Sequence, residues 1–334
     1  MKRRGKDGDP GMLDSVLAFV KLLVYPGFVF AVLLALAFEW IDRKFYAKLQ
    51  NRVGPLYTGP SGILQPLADF IKLLSKEDIT PRAADKPFFN SMPALAAAVM
   101  LTAVTLLPIT AYSGLVSFEG DLILAVALMT IYCIIVYLSG SFSVDRFSYV
   151  GAERAVSQLL GYEIPMTLAV VGVALGAGSL RISSIVEAQA ERGWLILGPQ
   201  ALGFAIFLIA VQAELERIPF DIPEAETEIV AGWLTEFSGR KLALIRLSAD
   251  LELLYVSGLA ATLYLGGPLG PTPPGLESIL NPIYFLVKTI IILLILSTIR
   301  ALFARFRIDQ MVAFAWRYLV PISLLQLFLV RILV

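Results

Sequence analysis

Long apolar runs alternate with short polar connections along almost the whole chain of 334 residues. A helix of about twenty apolar residues crosses about 30 Å of hydrocarbon, and each run is close to that length. The pattern therefore predicts an all-α, polytopic membrane protein with one integral membrane domain over residues 1–334 and about eight transmembrane helices. The predicted spans are 15–38, 92–112, 121–140, 155–178, 194–213, 243–266, 282–300 and 311–332.

The composition excludes two classes of protein. Hydrophobic residues make up 57% of the chain and charged residues 16%, with a mean hydropathy of +0.77, whereas soluble domains carry about 25% charged residues. This excludes a soluble globular enzyme. Because 27 basic residues balance 27 acidic ones, the chain also lacks the basic footprint of a nucleic-acid-binding protein.

The rare residues limit the redox chemistry of this chain. It has no histidine and one cysteine, Cys133, whereas haem, iron–sulfur and zinc sites are built mostly from these two residue types. We therefore expect no cofactor or metal bound by this chain. Asparagine occurs only at three positions, a depletion typical of thermophile proteins that membrane composition partly explains.

Lys and Arg are unevenly distributed among the connections. Sixteen lie in the odd-numbered connections, around 39–91, 141–154, 214–241 and 300–310, and two in the even-numbered ones. The positive-inside rule then predicts that these four connections are cytoplasmic and that both termini are outside. Four basic residues near the N-terminus oppose this assignment.

The first cytoplasmic connection contains a predicted amphipathic helix over 61–76. Apolar side chains at 64, 67, 71 and 74 share one face, and polar side chains at 65, 69, 72 and 76 share another. Two interpretations are open: a helix lying on the membrane surface, or a helix that forms one wall of a cavity. The Gly- and Pro-rich segment before it suits a fixed portal better than a mobile linker.

The third cytoplasmic connection, AELERIPFDIPEAETEIVAGWLTEFSGRK, is strongly acidic. Interleaved apolar residues and the two flanking spans suggest that it packs near the membrane. Crowded carboxylates in partial burial raise one another's pKa and share protons, which predicts a proton relay or a charge-coupled switch; the alternative is a solvated acidic loop. Its six carboxylates within fifteen residues are Glu214, Glu216, Asp221, Glu224, Glu226 and Glu228, beside one base, Arg217.

Several ionisable residues lie inside predicted spans, where a charge costs about 2.5–3.5 kcal/mol or more. Glu163 and Asp250 are the strongest candidates for an ion pathway, and Glu252 is close to Asp250. Lys21 and Lys288 lie too deep for their ammonium groups to reach the membrane surface easily. Static ion pairs are the alternative interpretation for all five.

Four segments in one order resemble the membrane subunit called subunit 1, or the NuoH type, of respiratory complex I and its archaeal and hydrogenase relatives. The first connection carries the pattern from Arg43 and Lys44 to Glu77, and the fourth span carries ERAVSQLLGYE, ending at Glu163. The acidic connection carries RIPFDIPEAETEIVAGW from Arg217, and the last carries IRALFARFRIDQ from Ile299. The resemblance covers nearly the whole chain.

The resemblance implies a cofactor-free subunit in the cell membrane that couples electron transfer to H⁺ or Na⁺ movement. It would wall the chamber where a quinone-like acceptor takes electrons from the terminal iron–sulfur cluster of a partner. The implied partners are hydrophilic iron–sulfur and hydrogenase-like subunits, antiporter-like membrane subunits and lipid. The implied chamber lining is Arg43, Gln50, Arg52, Leu67, Asp69, Arg217 and Phe220, and the implied coupling path is Glu163, Glu214, Asp221, Glu224, Glu226, Glu228, Asp250 and Glu252.

The chain departs from the family pattern in ways that leave the acceptor open. Asp42 replaces a family Glu, Glu216 replaces a family Asn, and the family carboxylate of the sixth span falls at Ala249, one residue before Asp250. One residue rotates a helical side chain by about 100°. Such divergence keeps a second hypothesis open, the equivalent subunit of a quinone-independent hydrogenase or sulfane or polysulfide reductase. A third, less favoured, is a stand-alone ion transporter.

Overall fold

The computed structural model describes residues 19–273 and 275–333, and over those ranges the chain is helical and forms no strand. Residues 19–23 are helical and are separated by a short break from the first long helix. A π turn over Ala315–Leu319 joins the helix Ile308–Phe314 to the helix Val320–Leu333. The helices are α1 Phe28–Leu49, α2 Gln65–Ser75, α3 Lys86–Thr105, α4 Asp121–Phe142, α5 Arg146–Ala177, α6 Ile182–Arg192, α7 Gln200–Glu214, α8 Glu226–Ile229, α9 Gly239–Leu265, α10 Glu277–Leu302, α11 Ile308–Phe314 and α12 Val320–Leu333.

The polytopic all-α architecture predicted from the hydropathy is confirmed. Within the described ranges, six helical segments are long and apolar enough to cross a membrane: 19–49, 86–104, 121–142, 146–177, 277–302 and 308–333. The predicted spans at 194–213 and 243–266 correspond to α7, which has only 15 residues, and to α9, which carries several charges. The count of eight spans therefore stays a prediction.

Helix boundaries differ from the predicted spans because helices continue beyond the apolar window. The first predicted span begins at 15, outside the described residues, and its helix runs on to Leu49 rather than ending at 38. The predicted connection 141–154 is mostly helix. Asp145 caps α5 by accepting bonds from the backbone N–H groups of Phe147, at 2.9 Å, and Ser148, at 3.1 Å, so α5 begins nine residues before the predicted span.

Helix α9 is the centre of the bundle. It packs against α1, α3, α10 and the short helices α2, α6 and α7, and almost every residue from Leu251 to Tyr264 is buried. Gly258 permits this packing, because a Cβ there would lie 2.8 Å from the Leu107 side chain and 3.0 Å from the Phe285 ring. Protein rather than lipid therefore surrounds the carboxylates of α9.

One end of the bundle, where α9 ends, is held by Lys288 of α10. Its ammonium donates to the carbonyls of Leu265 at 2.7 Å, Gly267 at 3.0 Å and Leu269 at 2.6 Å. It also lies 5.1 Å from the centre of the Trp194 ring. Lys288 thus caps the end of α9 through backbone carbonyls, rather than through the static ion pair considered from the sequence. Lys21, predicted to lie deep, is exposed in the helical turn at 19–23.

Candidate functional site

A cavity of about 710 Å³ lies at the opposite end of α9. Its walls come from α1, α4, α7, α9, α10 and the acidic segment 215–238, which hereafter is called the acidic loop. Nine carboxylates and five arginines line it, so the wall would carry four net negative charges if every group were ionised. The charged residues of the wall are Glu39, Asp42, Arg43, Glu214, Glu216, Arg217, Asp221, Glu224, Glu226, Arg246, Asp250, Glu252, Arg300 and Arg305.

The cavity contains eight of the fifteen residues implied by the family resemblance. They come from elements far apart in sequence, which shows that the acidic loop and the α9 carboxylates face one space. These eight are Arg43, Glu214, Arg217, Asp221, Glu224, Glu226, Asp250 and Glu252.

Asp42 is the most important group that the sequence did not single out. It is 2% exposed and accepts hydrogen bonds from Ser297 and from Arg300, the latter at 3.3 Å, and pairs with Arg217 at 3.0 Å. These partners lie on α10 and the acidic loop, so one carboxylate joins three segments. No local motif reveals a contact across about 255 residues, and Asp42 was visible in the sequence only as a departure from the family Glu.

The acidic loop is held by arginines but keeps carboxyl groups of unusual acidity. Arg305 pairs with Asp221, yet burial outweighs this partner and raises the pKa of Asp221. Burial, with the nearby Asp221 charge, also raises the pKa of Glu224 to about 7. Glu224 is therefore close to half-protonated at neutral pH, which is the property required of a group that exchanges protons under physiological conditions.

Two carboxylates at the inner wall of the cavity have buried oxygens that form no hydrogen bond in the described part of the chain. Glu214 is 5% exposed and neither of its carboxylate oxygens is hydrogen-bonded; Glu252 is 3% exposed and its Oε1 is unbonded. Burying an ionised carboxylate without a partner is costly, whereas the protonated form is far less so. The geometry therefore favours shared protons among these groups over permanent charges.

The remaining carboxylates of the acidic loop lie nearer to solvent. Glu226 and Glu228 begin and continue the single turn α8, and both are exposed. Arg154 of α5 pairs with Glu228 at 2.6 Å, outside the cavity lining. Glu226 thus lies at the cavity rim, and Glu228 joins the loop to α5.

Glu163 lies apart from the main cavity. It lines a second, largely apolar cavity of about 310 Å³ between α4 and α5. Thr130 of α4 donates to one carboxylate oxygen at 2.7 Å, while the other is buried and unbonded within the described chain. The residue before it, Tyr162, is buried in α5 and lines neither cavity.

The first connection packs a mixed face of α2, with both polar and apolar side chains, against the protein. Asp69 of α2 pairs with Arg43 of α1 at 2.7 Å, and Phe70 and Pro66 pack on the body. The apolar stripe predicted by helical spacing instead points away from the chain. Its side chains are exposed by 36–55%, namely Leu64, Leu67, Ile71 and Leu74.

The other residues of the implied chamber lining are not on the cavity wall. Gln50 and Arg52 are exposed just after α1. Phe220 is buried, its ring stacked on Phe306 with centroids 5.7 Å apart, and Gln158 donates to its carbonyl at 3.0 Å. Phe220 therefore anchors the acidic loop. Over residues 19–273 and 275–333, no group of three or more Asp, Glu or Cys side chains is arranged to hold a metal ion.

Comparison with known proteins gives one consistent result. Residues 21–331 match the family model described as NADH dehydrogenase. An NADH-quinone oxidoreductase subunit of Dehalococcoides mccartyi is 39% identical over 312 residues, which cover 92% of this chain and 86% of that protein. The NADH-quinone oxidoreductase subunit of the same type from Rhodopseudomonas palustris is 40% identical over 326 residues, with 97% and 98% coverage.

A solved structure has a similar fold. A chain of the membrane-bound sulfane sulfur reductase, an archaeal respiratory membrane complex, superimposes with a TM-score of 0.83 and 27% identity. The match covers 94% of this chain and 99% of that one.

Proposed function

This chain belongs to the NADH dehydrogenase family, as a NuoH-type, multi-pass membrane subunit of complex I-like oxidoreductases, and from this membership we propose that its cavity couples electron transfer to ion translocation. The observation that carries the proposal is the cavity itself. Nine carboxylates and five arginines share one partly buried space, so a change of one charge nearby alters the proton occupancy of the whole group.

The redox step takes place outside this chain in our proposal. Electrons reach a quinone-like acceptor from an iron–sulfur cluster held by a hydrophilic partner, and reduction adds negative charge and consumes protons. The chain's own residues hold and move those protons: Glu224 exchanges at neutral pH, and Glu214 and Glu252 accept behind it. Arg217 and Arg300, fixed by Asp42, limit how much negative charge accumulates.

The outward apolar stripe of α2 forms one wall of the acceptor chamber, which a partner subunit closes. A membrane-surface helix would bury its apolar stripe in lipid. Here, however, the polar side of α2 is tied to α1 by the Arg43–Asp69 pair, 2.7 Å long, and this pair fixes the orientation of the helix. The neighbouring loop adds more exposed apolar surface at Val53, Leu56 and Tyr57.

A charge on this stripe tests the chamber wall. Leu67→Lys should lower acceptor reduction by the assembled complex at least tenfold, because an ammonium placed against an apolar acceptor or partner must be desolvated. The donor-side activity of the hydrophilic subunits should stay unchanged. Ser75→Lys, at the exposed end of the same helix, is the matched control and should reduce the acceptor normally. Normal reduction by both variants would exclude α2 from the chamber.

Proton uptake tests the coupling role. A pH-indicating dye in weakly buffered detergent solution should record proton uptake at pH 7 during a single reduction of the acceptor. Glu224→Gln should take up measurably fewer protons per acceptor, whereas Glu119→Gln, an exposed carboxylate beyond the cavity, should behave as wild type. Equal uptake by all three forms would overturn the coupling role.

The second candidate function is the equivalent subunit of a sulfur-reducing complex, and the observation that favours it is the close superposition on the sulfane sulfur reductase chain. The higher identity to NADH-quinone oxidoreductase subunits favours a quinone acceptor. Assaying the purified complex with a short-chain quinone and with polysulfide distinguishes the two. A stand-alone transporter would instead purify without iron–sulfur partners.

A further inference from the structure

Glu216 occupies a strained turn at the start of the acidic loop, directly after α7. Its φ is +49°, in the left-handed region where a residue with a long side chain is uncommon. Such a conformation is strained for a residue with a side chain, and short polar residues such as Asn tolerate it best. The family's usual Asn suits this backbone, whereas the chain places a longer, acidic side chain there.

Trp233 fixes the carboxylate of Glu216. Its indole N–H donates to Oε2 at 3.1 Å, and the indole is itself buried. The tryptophan cannot shift easily, because a Cβ on Gly151 of α5 would lie only 2.6 Å from the Trp233 backbone nitrogen. Gly232 before it has φ +54°, and a Cβ there would lie 1.9 Å from the Pro223 carbonyl. The Glu216 carboxylate is therefore held at one point of the cavity wall.

The fixed carboxylate shares one cavity wall with two groups of acids. They are Glu224 and Asp221 of the loop, and Glu214 of α7 and Glu252 of α9. Tyr132 of α4 lies on the same wall. A second, independent observation comes from Glu214, which is 5% exposed, lines the cavity and has no bonded carboxylate oxygen in the described chain.

We propose that Glu216 is a proton-carrying residue that connects the acidic loop to the buried pair Glu214 and Glu252. This inference rests on the proposed function and deepens it. In the step, a carboxyl O–H of Glu224 releases its proton and a carboxylate oxygen of Glu216 accepts it. A second transfer then passes a proton to Glu214 or Glu252, and no oxidation state changes.

The protonation of Glu216 is set by two opposed influences. Burial, with the Glu224 charge, raises the pKa of Glu216 well above its ordinary value, whereas the Trp233 hydrogen bond lowers it. Removing the indole donor should therefore raise the pKa further. This sign gives a readout that loss of packing would not produce.

Three substitutions at Glu216 in the intact complex, reconstituted in proteoliposomes, test the proposal. Glu216→Gln keeps the shape and removes the proton site, and Glu216→Asn does the same while relieving the backbone strain, so it should assemble even if the Gln variant does not. Both should lower the rates of ion movement and acceptor reduction together by at least threefold. Glu216→Asp should restore much of the loss, and Glu153→Gln, an exposed acid on α5, should match wild type.

The pH profile supplies the second measurement. In Trp233→Phe, the alkaline limb of turnover should move to higher pH, since the protonated form of Glu216 persists longer. Unchanged profiles together with normal pumping in Glu216→Asn would overturn the role of Glu216. If Glu224→Gln is impaired in that same experiment, the proposed function stands without Glu216; if Glu224→Gln is also normal, the proposed function fails as well.

Discussion

Buried charged groups at the two ends of α9 differ in how many hydrogen-bond partners they have. At the end near the 266–269 turn, Lys288 donates to three backbone carbonyls at 2.6–3.0 Å and has a tryptophan ring beside it. At the cavity end, Glu214 has no bonded carboxylate oxygen in the described chain, and Glu252 has one unbonded oxygen. One end of α9 therefore adjoins a charged group with all its hydrogen bonds formed, and the other adjoins carboxylates with unbonded oxygens.

Hydrogen-bond partners distinguish the buried charges that stabilise the fold from those that can change protonation. A lysine with three fixed acceptors gains nothing from changing its charge, because each bond requires the ammonium protons. A carboxylate without a partner and near other acids changes its protonation at lower cost. Depth in the membrane alone did not separate these two cases, but the hydrogen-bond partners do.

Substitution of Asp42 should cause the largest loss of stability. Although Asp42 lines the cavity, its carboxylate has several fixed partners, as Lys288 does. Asp42→Ala leaves Arg217 and Arg300 without their shared carboxylate, and breaking such a buried pair costs about 3–5 kcal/mol. Unfolding of the purified complex, followed by heat or denaturant, should show this loss. Asp42→Glu, which restores the family residue, should retain most of the stability. Equal stability of the Ala and Glu variants would contradict the role of Asp42 as a structural hub.

Lys288 should produce the next largest effect, on stability alone. Lys288→Met leaves three carbonyls without their donor, and each unsatisfied group costs about 1–3 kcal/mol before the turn relaxes. The thermal midpoint should fall clearly, while the pH profile of turnover in the remaining folded complex should not move. Lys86→Met, at an exposed lysine, is the control. A shifted pH profile would place Lys288 in the proton path instead.

The helical architecture follows from the local hydropathy pattern and is confirmed, whereas the proton relay in the acidic loop stays a prediction. The sequence did not reveal that Asp42 joins Arg217 and Arg300, or that Arg305 pairs with Asp221, because these contacts depend on how distant helices pack. The amphipathic pattern of α2 left open which face the protein covers. The Arg43–Asp69 pair and the packing of Pro66 and Phe70 define that face, and periodicity cannot show such contacts.

A smaller effect should appear in the pH dependence of stability. Burial raises the pKa of Glu224 from 4.5 to about 7, so between these values the folded protein holds a proton that the unfolded chain has released. Stability should therefore fall as pH rises from about 4.5 to 7 and then level off for this group. Glu224→Gln should flatten that slope in thermal unfolding of the complex. An unchanged slope would show that Glu224 ionises normally.

Single-cysteine labelling, which perturbs the protein least, tests on which side of the membrane each end of α9 lies. Ser75→Cys and Thr272→Cys place single reactive thiols near the two ends, and the native Cys133 is buried and contributes little background. The distribution of Lys and Arg predicts that a membrane-impermeant maleimide labels Thr272→Cys from outside and Ser75→Cys only after the membrane is opened. Labelling of both from the same side would overturn the topology.

Ion pumping and acceptor reduction, measured together in proteoliposomes, test the central claim most directly. The Glu163→Gln, Asp221→Asn, Glu224→Gln, Glu226→Gln and Glu228→Gln variants each keep the shape of the side chain and remove its charge, so the complex should still assemble. If the carboxylates form one network that couples the two processes, both rates should fall together, most strongly for Glu224→Gln. Normal reduction and normal pumping in all five variants would contradict it and leave the acidic loop a solvated surface.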